Sequence, residues 1–314
     1  MRDTLERKPA DILVIGGTGG TGSMVVRALW RRGGAVRVVT RSAQVAERLF
    51  GRSVEIVAMD QRGAVVPSTE ALHGIRKVLL ISRHVEGWVD EATAVLDRAR
   101  EAGVEHIVRL SAYRCHDRSR GFGATLHGER HAWIEDYIEQ LGFQHTHLRT
   151  ALTFQWLEAV AGAEIRSRGA LTLPFGSGRV NLVDARDIAE VAARALIEQG
   201  HAGKTYELSG PEDLSMTAVA ERMSARFGYP IRAEDLPPRQ VLAWLGARGW
   251  APTEAEALAQ LFSEGRHGFL TGRFSDLTNL METAPTTLDQ YISDEAYRFE
   301  QERPFDMPAL DLAA

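Results

Sequence analysis

The sequence predicts a doubly wound α/β fold: a parallel sheet with helices on both faces, completed by a smaller, mostly helical C-terminal lobe. Three observations carry this expectation. Short apolar runs alternate with helical periods from residue 12 to residue 149, glycines crowd the junction between the first run and the first helix, and beyond Pro211 the pattern turns mostly helical.

Ile12-Leu13-Val14-Ile15 is an apolar run stopped by Gly16, as expected of a strand buried on both faces. From Ser23 onward, Met24, Val25, Val26, Leu29 and Trp30 recur at helical spacing, and Gly33-Gly34 ends that helix. Residues 36–39 then read as strand two, 43–50 as a helix, 54–58 as strand three and 78–81 as strand four. A helix over 89–102 closes on Gly103, and 106–110 is strand five. After a polar loop over 117–123, residues 129–141 read as a helix ended by Gly142, and 144–149 as strand six. This alternation implies βαβ units joined by right-handed crossovers.

Past Arg149 the pattern is irregular. Gly169, Pro174, Gly176 and Gly178 punctuate a loop, 184–198 is an amphipathic helix, and 205–208 reads as one more strand of the main sheet. Further helices are expected over 215–227, 238–248, 254–264 and 287–298. The implied division is a nucleotide-binding domain over 11–155, to which 180–209 return, and a substrate lobe made of 156–179 and 210–314.

With 314 residues, 44% hydrophobic and 25% charged, the chain can bury a sizeable core and is neither a disordered segment nor a disulfide scaffold. A net charge of −5 argues against a broad phosphate-neutralising face, so nucleic acid is not an expected partner. The single cysteine, Cys115, excludes an internal disulfide, and the charged start Met1-Arg2-Asp3-Thr4-Leu5-Glu6-Arg7-Lys8 does not resemble a signal peptide. No apolar run approaches the roughly 20 residues of a membrane span. A cytoplasmic protein acting on a small molecule, as a monomer or homodimer, is the expectation.

The cluster Gly16-Gly17-Thr18-Gly19-Gly20-Thr21-Gly22 lies between the first strand and the first helix. It fits two registers: G-x-G-x-x-G on Gly17, Gly19 and Gly22, or G-x-x-G-x-x-G on Gly16, Gly19 and Gly22. In either, glycine permits the tight turn, close approach of backbone to a pyrophosphate, and close packing of helix on strand. The helix N-terminus offers free N–H groups and a positive dipole end to the phosphates. This is the dinucleotide-binding signature of a Rossmann-type sheet. After strand two, where an acidic residue would bind the ribose 2′-hydroxyl of NAD, the chain has Thr40-Arg41-Ser42. A guanidinium suits a 2′-phosphate and Ser42 adds a donor, so NADP(H) is preferred over NAD(H). Asp60 and Gln61, beyond strand three, stand where a side chain can address the adenine, and Ser82, Arg83 and Ser111 complete the candidate cofactor set.

With these pieces in hand, the sequence resembles the NmrA-like group of atypical short-chain dehydrogenases over about residues 11 to 300. The resemblance rests on the run 15–22, Thr40-Arg41, Ala58-Met59-Asp60, and Val104-Glu105-His106-Ile107-Val108 before Ser111. It continues through His131-Ala132-Trp133-Ile134-Glu135, Thr146-His147-Leu148-Arg149-Thr150-Ala151-Leu152, and Leu173-Pro174-Phe175-Gly176-Ser177-Gly178-Arg179, which leads into 183–189. That group includes triphenylmethane and quinone reductases, isoflavone-type reductases and redox-sensing regulators. The resemblance places His131 where isoflavone-type reductases hold lysine and where the triphenylmethane and quinone reductase branch holds histidine.

Ordinary short-chain dehydrogenases use Y-x-x-x-K, yet Tyr113 is followed by Asp117 and Tyr137 by Leu141, and the only lysines are Lys8, Lys77 and Lys204. Without that relay, hydride transfer to a conjugated, aromatic or quinone-like acceptor is the expected chemistry, since it needs little proton donation by the protein. A non-catalytic NADP(H)-binding redox sensor acting through a protein partner is the alternative. His127, His131 and Glu135 fall one helical turn apart and can share a face beside the nicotinamide. His131 and His127 are thus candidate acids or orienting groups, with Tyr113 a further donor. Phe154 and Trp156, following strand six, are candidates with Tyr113 to line the substrate cavity.

No metal site is expected: the order His127-x-Glu129-x-His131 is not H-E-x-x-H, and a single cysteine cannot complete a zinc-deaminase set. Gly203-Lys204-Thr205 lacks the upstream glycine of a P-loop, because position 198 is glutamate, and G-x-S-x-G is absent.

Overall fold

A computed structural model describes residues 8–59, 66–82 and 86–299. The nucleotide-binding half runs β1 (Ile12–Ile15), α1 (Gly20–Arg31), β2 (Val36–Thr40), α2 (Ala43–Phe50), β3 (Glu55–Ala58), α3 (Thr69–Leu72), β4 (Lys77–Leu80), α4 (Trp88–Glu101), β5 (His106–Ala112), α5 (Leu126–Gln140) and β6 (Gln144–Thr150). The chain continues through β7 (Leu152–Thr153), α6 (Phe154–Arg168), β8 (Ala170–Leu173), β9 (Arg179–Val183), α7 (Ala185–Ile197) and β10 (Lys204–Leu208). It ends with β11 (Asp213–Ser215), α8 (Met216–Phe227), β12 (Arg232–Asp235), α9 (Val241–Gly246), α10 (Pro252–Arg266), α11 (Asp276–Leu280) and α12 (Leu288–Asp294).

Seven parallel strands form one sheet in the order β10-β6-β5-β4-β1-β2-β3. The alternation of side chains along each strand divides the core in two. Val14, Val38, Leu79, Val108 and Leu148 face α1 and α7 on one side. Leu13, Ile15, Val39, Val78, Leu80 and Ile107 face α4 and α5 on the other. Burial on both faces explains why β1 and β4 read as unbroken apolar runs, whereas buried Arg37, Arg109 and His147 interrupt β2, β5 and β6. The chain leaves β1 toward β2 and β3 and then crosses back to β4, so the order reverses between β1 and β4. A crevice at the carboxyl ends of those two strands is where such sheets bind ligands.

The segment after β6 differs most from expectation. A 15-residue helix, α6, and two short strands, β8 and β9, occupy a stretch that reads as irregular. Thr153 caps α6, its side chain accepting from the Trp156 N–H, and Gly169 ends it at φ +64°. The helix expected over 238–248 divides into a 3₁₀ turn (Pro238–Gln240) and α9, and that over 287–298 into α12 and a second turn (Ala296–Arg298). The strand expected over 205–208 is β10, at the sheet edge beside β6. α10 packs on α9, on α5 and on the 3₁₀ turn Gly121–Ala124, covering the carboxyl end of the sheet. Among the described residues no helix is long and apolar enough to cross a membrane.

Candidate active site

The glycine cluster forms a cradle. Gly16 takes φ +81° and its carbonyl accepts from the Gly19 N–H at 3.0 Å, turning the chain from β1 into α1. A Cβ at Gly22 would lie 2.1 Å from that carbonyl oxygen, so only glycine lets α1 start this close to β1. Gly19 is the N-cap of α1 and belongs to both registers, but the left-handed backbone falls on Gly16 and not on Gly17, which favours the G-x-x-G-x-x-G register on Gly16, Gly19 and Gly22. No side chain caps α1 and no acidic residue sits in its first turn, so its N–H groups and dipole face outward without a competing carboxylate. Both features fit a pyrophosphate.

A groove of about 430 Å³ runs along this cradle, bounded by Thr18, Gly19, Gly20 and Thr21, by the end of β2 and by Ile81. Arg41 lines it, exposed and with no ion pair among the described residues. Ser42 lines it too; its Oγ accepts the Val45 N–H at 3.4 Å as the cap of α2, a bond that does not use the hydroxyl proton. Asp60, Gln61 and Arg83 lie outside the described residues.

A second cavity of about 220 Å³ shares Thr21 and Ile81 with the groove, so the two join at the switch point between β1 and β4. Ser82, Ser111, His127, His131 and Trp156 line it, with Phe122, Leu258 and Leu261 supplying apolar surface. His131 is buried and held on several sides. Its ring lies 5.1 Å from Trp88 and meets the Phe122 ring edge-on at 6.5 Å. Arg109 Nη2 donates to His131 Nδ1 at 3.2 Å, and Ser111 Oγ lies 3.5 Å from the same nitrogen. A guanidinium has no acceptor, so Nδ1 must accept, and Nε2 is the nitrogen that carries the ring proton.

Arg109 is the residue that the sequence argument missed. It is fully buried within β5, donates also to Ser82 Oγ at 3.2 Å and to the Leu80 carbonyl, and is lowered to about 10 by burial, against the charges of Glu135 and Cys115. It remains a cation at neutral pH. A lone charge in an otherwise apolar strand was the available signal, because a buried guanidinium needs partners that justify its desolvation.

His127 reaches the same cavity from the first turn of α5. Its Nε2 lies 3.4 Å from Glu254 of α10, and Arg130 reaches the other oxygen of that carboxylate at 3.2 Å. Burial, then the Arg130 charge, holds His127 down to about 4, so it is neutral at pH 7 and joins α5 to α10. Glu135, on the next turns of α5, does not line the cavity. It accepts from Arg149 through both oxygens, and from Cys115 and His116. Burial raises its pKa, yet the Arg149 bonds and the nearby charges outweigh that and bring it to about 2.

Tyr113 lines neither the groove nor this cavity. It is buried among Phe122 and Phe274, donates to the Phe269 carbonyl at 3.4 Å, and has its pKa pushed well above the ordinary phenol range by burial. Phe154 likewise turns into the core, stacked on Tyr291 at 4.9 Å, whereas Trp156, two residues on, reaches the cavity wall.

The NmrA-like family model matches residues 8–292. An NAD(P)H azoreductase of Xenophilus azovorans is 30% identical over 294 residues, covering 92% of this chain and 99% of that protein. Quinone oxidoreductase 2 of Escherichia coli is 27% identical over 285 residues, covering 90% and 97%. Among solved structures, an NADPH-dependent quinone oxidoreductase of Escherichia coli complexed with NADPH superposes with a TM-score of 0.78 at 25% identity, over 90% of this chain and 99% of that one. A Citrobacter sp. triphenylmethane reductase complexed with NADP(H) shares the fold, with a TM-score of 0.75 at 23% identity over 90% and 99%. With the glycine cradle, the strand order and a family match over nearly the whole described chain, the protein belongs to the NmrA-like family.

Proposed function

We propose that this chain is an NADP(H)-dependent oxidoreductase that passes hydride to a conjugated, aromatic or quinone-like small molecule. The observation that carries this is the junction of the glycine groove with the His131 cavity at Thr21 and Ile81, which puts a dinucleotide site and an apolar acceptor site end to end. The names of the relatives, an azoreductase and quinone reductases, support the same class of acceptor.

The reduced nicotinamide, when bound, supplies the hydride. The α1 N-terminus holds the pyrophosphate, and Arg41 with Ser42 holds the 2′-phosphate. His131, its tautomer set by Arg109, donates from Nε2 to the nicotinamide ribose or to the acceptor oxygen. Trp156, Leu258 and Leu261 exclude water and present apolar surface to a flat acceptor. Residues 11–155 with 180–209 form the cofactor domain of this reading, and 156–179 with the segment from 210 onward the covering lobe, residues 300–314 of the expected 210–314 lying outside the described residues.

The test is NADPH oxidation screened against quinones, azo dyes, triarylmethane dyes and enones, together with binding of both cofactors. Turnover with at least one class is expected, with NADPH bound ~10- to 100-fold tighter than NADH and that preference lost in Arg41→Ala, as removal of charge-assisted hydrogen bonds implies. Equal binding of both cofactors, unaffected by Arg41→Ala, refutes the NADP(H) assignment. Absence of turnover alongside NADPH-dependent capture of a protein partner favours the sensor.

A further inference from the structure

α5 runs away from the cavity, from Leu126 to Gln140, and β6 runs back from Gln144 to Thr150, so the turn between them stands at the opposite end of the sheet from the cofactor groove. Glu139, His145 and His147 converge there. The two histidines are two apart along β6 and therefore share a face. Their rings stack at 4.6 Å, and their Nε2 atoms lie 3.7 and 3.3 Å from the same Oε1 of Glu139. All three ligand atoms fall within 4.8 Å of one another. The longer approach is beyond a hydrogen bond and the shorter is a weak one. In a tetrahedral zinc site, with ligand bonds of about 2.0–2.1 Å, neighbouring ligand atoms stand about 3.3–3.4 Å apart. The separations to Glu139 are close to that edge.

We propose that Glu139, His145 and His147 bind a divalent transition metal of the zinc type, with water completing the coordination. Two imidazoles and one carboxylate suit zinc, cobalt, nickel or copper rather than magnesium or calcium, which prefer oxygen ligands throughout. His147 is fully buried and fixed, while Glu139, half-exposed, leaves a way in for the ion. The other His/Cys/carboxylate group among the described residues, Cys115, His116 and Glu135, is a poorer site. Arg149 occupies both Glu135 oxygens, and burial pushes the Cys115 thiol up to about 12. Neither the His127 to His131 spacing nor the single cysteine bears on this group, because Glu139 and the two histidines are brought together by the turn after α5. A bound ion would clip the end of the helix that carries His131 to the start of the strand that ends at the cavity, without touching the cofactor.

The experiment uses full-length, untagged, metal-stripped protein, titrated calorimetrically with Zn²⁺ and spectroscopically with Co²⁺. One ion per chain, visible bands of four- or five-coordinate cobalt, and a rise in Tm with Zn²⁺ are expected. His145→Ala and Glu139→Gln, both at accessible positions, should each weaken Zn²⁺ binding by at least ~10-fold, while Cys115→Ser binds as wild type. The proposal is overturned if Zn²⁺ binding is not saturable at one per chain, if cobalt retains its six-coordinate aqueous spectrum, or if neither ligand variant changes affinity.

Discussion

Arg109→Met isolates what the buried guanidinium does for His131. Methionine replaces the length of the side chain with an unbranched apolar one and removes the N–H donated to Nδ1 at 3.2 Å. A hydrogen bond from a charged donor contributes about 1.5–3 kcal/mol. If it serves only to hold the ring and its tautomer for reaction, its loss lowers kcat by ~10- to 100-fold. Stability should change far less. The Ser82 hydroxyl and the Leu80 carbonyl lose a donor, but a desolvated cation disappears with it, and exchanges of that kind are often near neutral. Glu135 keeps Arg149 as its main partner. The assay is a double-mutant cycle on kcat and KM for a quinone, followed by loss of NADPH absorbance, with Tm measured for each protein. His131→Ala should lose a similar factor, and the double variant should be no slower than His131→Ala alone, because Arg109 acts through that ring. A wild-type rate in Arg109→Met, or losses that multiply in the double variant, would refute this account of the tautomer.

Other expectations follow from the same geometry. Gly22→Ala forces a Cβ to 2.1 Å from the Gly16 carbonyl and should weaken NADPH binding by at least ~100-fold, whereas a Cβ at Gly246, at the end of α9 and outside the groove, meets nothing within 4 Å, so Gly246→Ala should bind as wild type in the same fluorescence titration. Trp156→Ala should raise KM for a bulky acceptor several-fold and leave NADPH affinity unchanged, as steady-state kinetics with each substrate varied will show. Acid should destabilise the fold in two windows read by urea denaturation. The folded-state value of His127, about 4, lies below its ordinary 6.5, so the stability it contributes is complete above pH 6.5 and lost as pH falls toward 4, on the order of 3 kcal/mol. Glu135, at about 2 against an ordinary 4.5, contributes stability that is complete above pH 4.5 and lost toward pH 2. His106 and His147, also held down to about 4 chiefly by burial, share the upper window, so His127→Gln should make it shallower without removing it, while Glu135→Gln should flatten the lower.

The parts of the fold legible in the sequence are those whose burial has a period. β1 and β4 are covered on both faces and so appear as apolar runs, β2 and β5 keep enough of that pattern around Arg37 and Arg109 to be read, and the glycines mark the turn because Gly16 and Gly22 have steric reasons that no other residue satisfies. α6 is hidden because Trp156 and Val160 lie outside its most buried stripe and Gly162 interrupts it, and Gly169, which ends it in the structure, reads as part of a loop. At the site, helical spacing brought His127 and His131 to one cavity but could not show that Glu135 turns toward Arg149, a partner that pairs with it across the fold. Phe154 and Trp156 looked equivalent in the chain. Only packing separates them, one against Tyr291 and the other on the cavity wall. The Glu139, His145 and His147 cluster had no sequence motif because it depends on how a helix end meets the following strand.

The central claim is direct hydride transfer from NADPH across the joined cavities. It is tested most directly with NADPH carrying deuterium at the transferable C4 position and a triarylmethane cation as acceptor, since the C–H bond formed at its central carbon does not exchange with water. Direct transfer places one deuterium in each molecule of reduced dye, detected by mass spectrometry, with a primary isotope effect on turnover when chemistry limits the rate. Reduced dye that carries hydrogen from solvent instead of deuterium, or NADPH left unconsumed with this dye and with every quinone and azo dye tried, would contradict it.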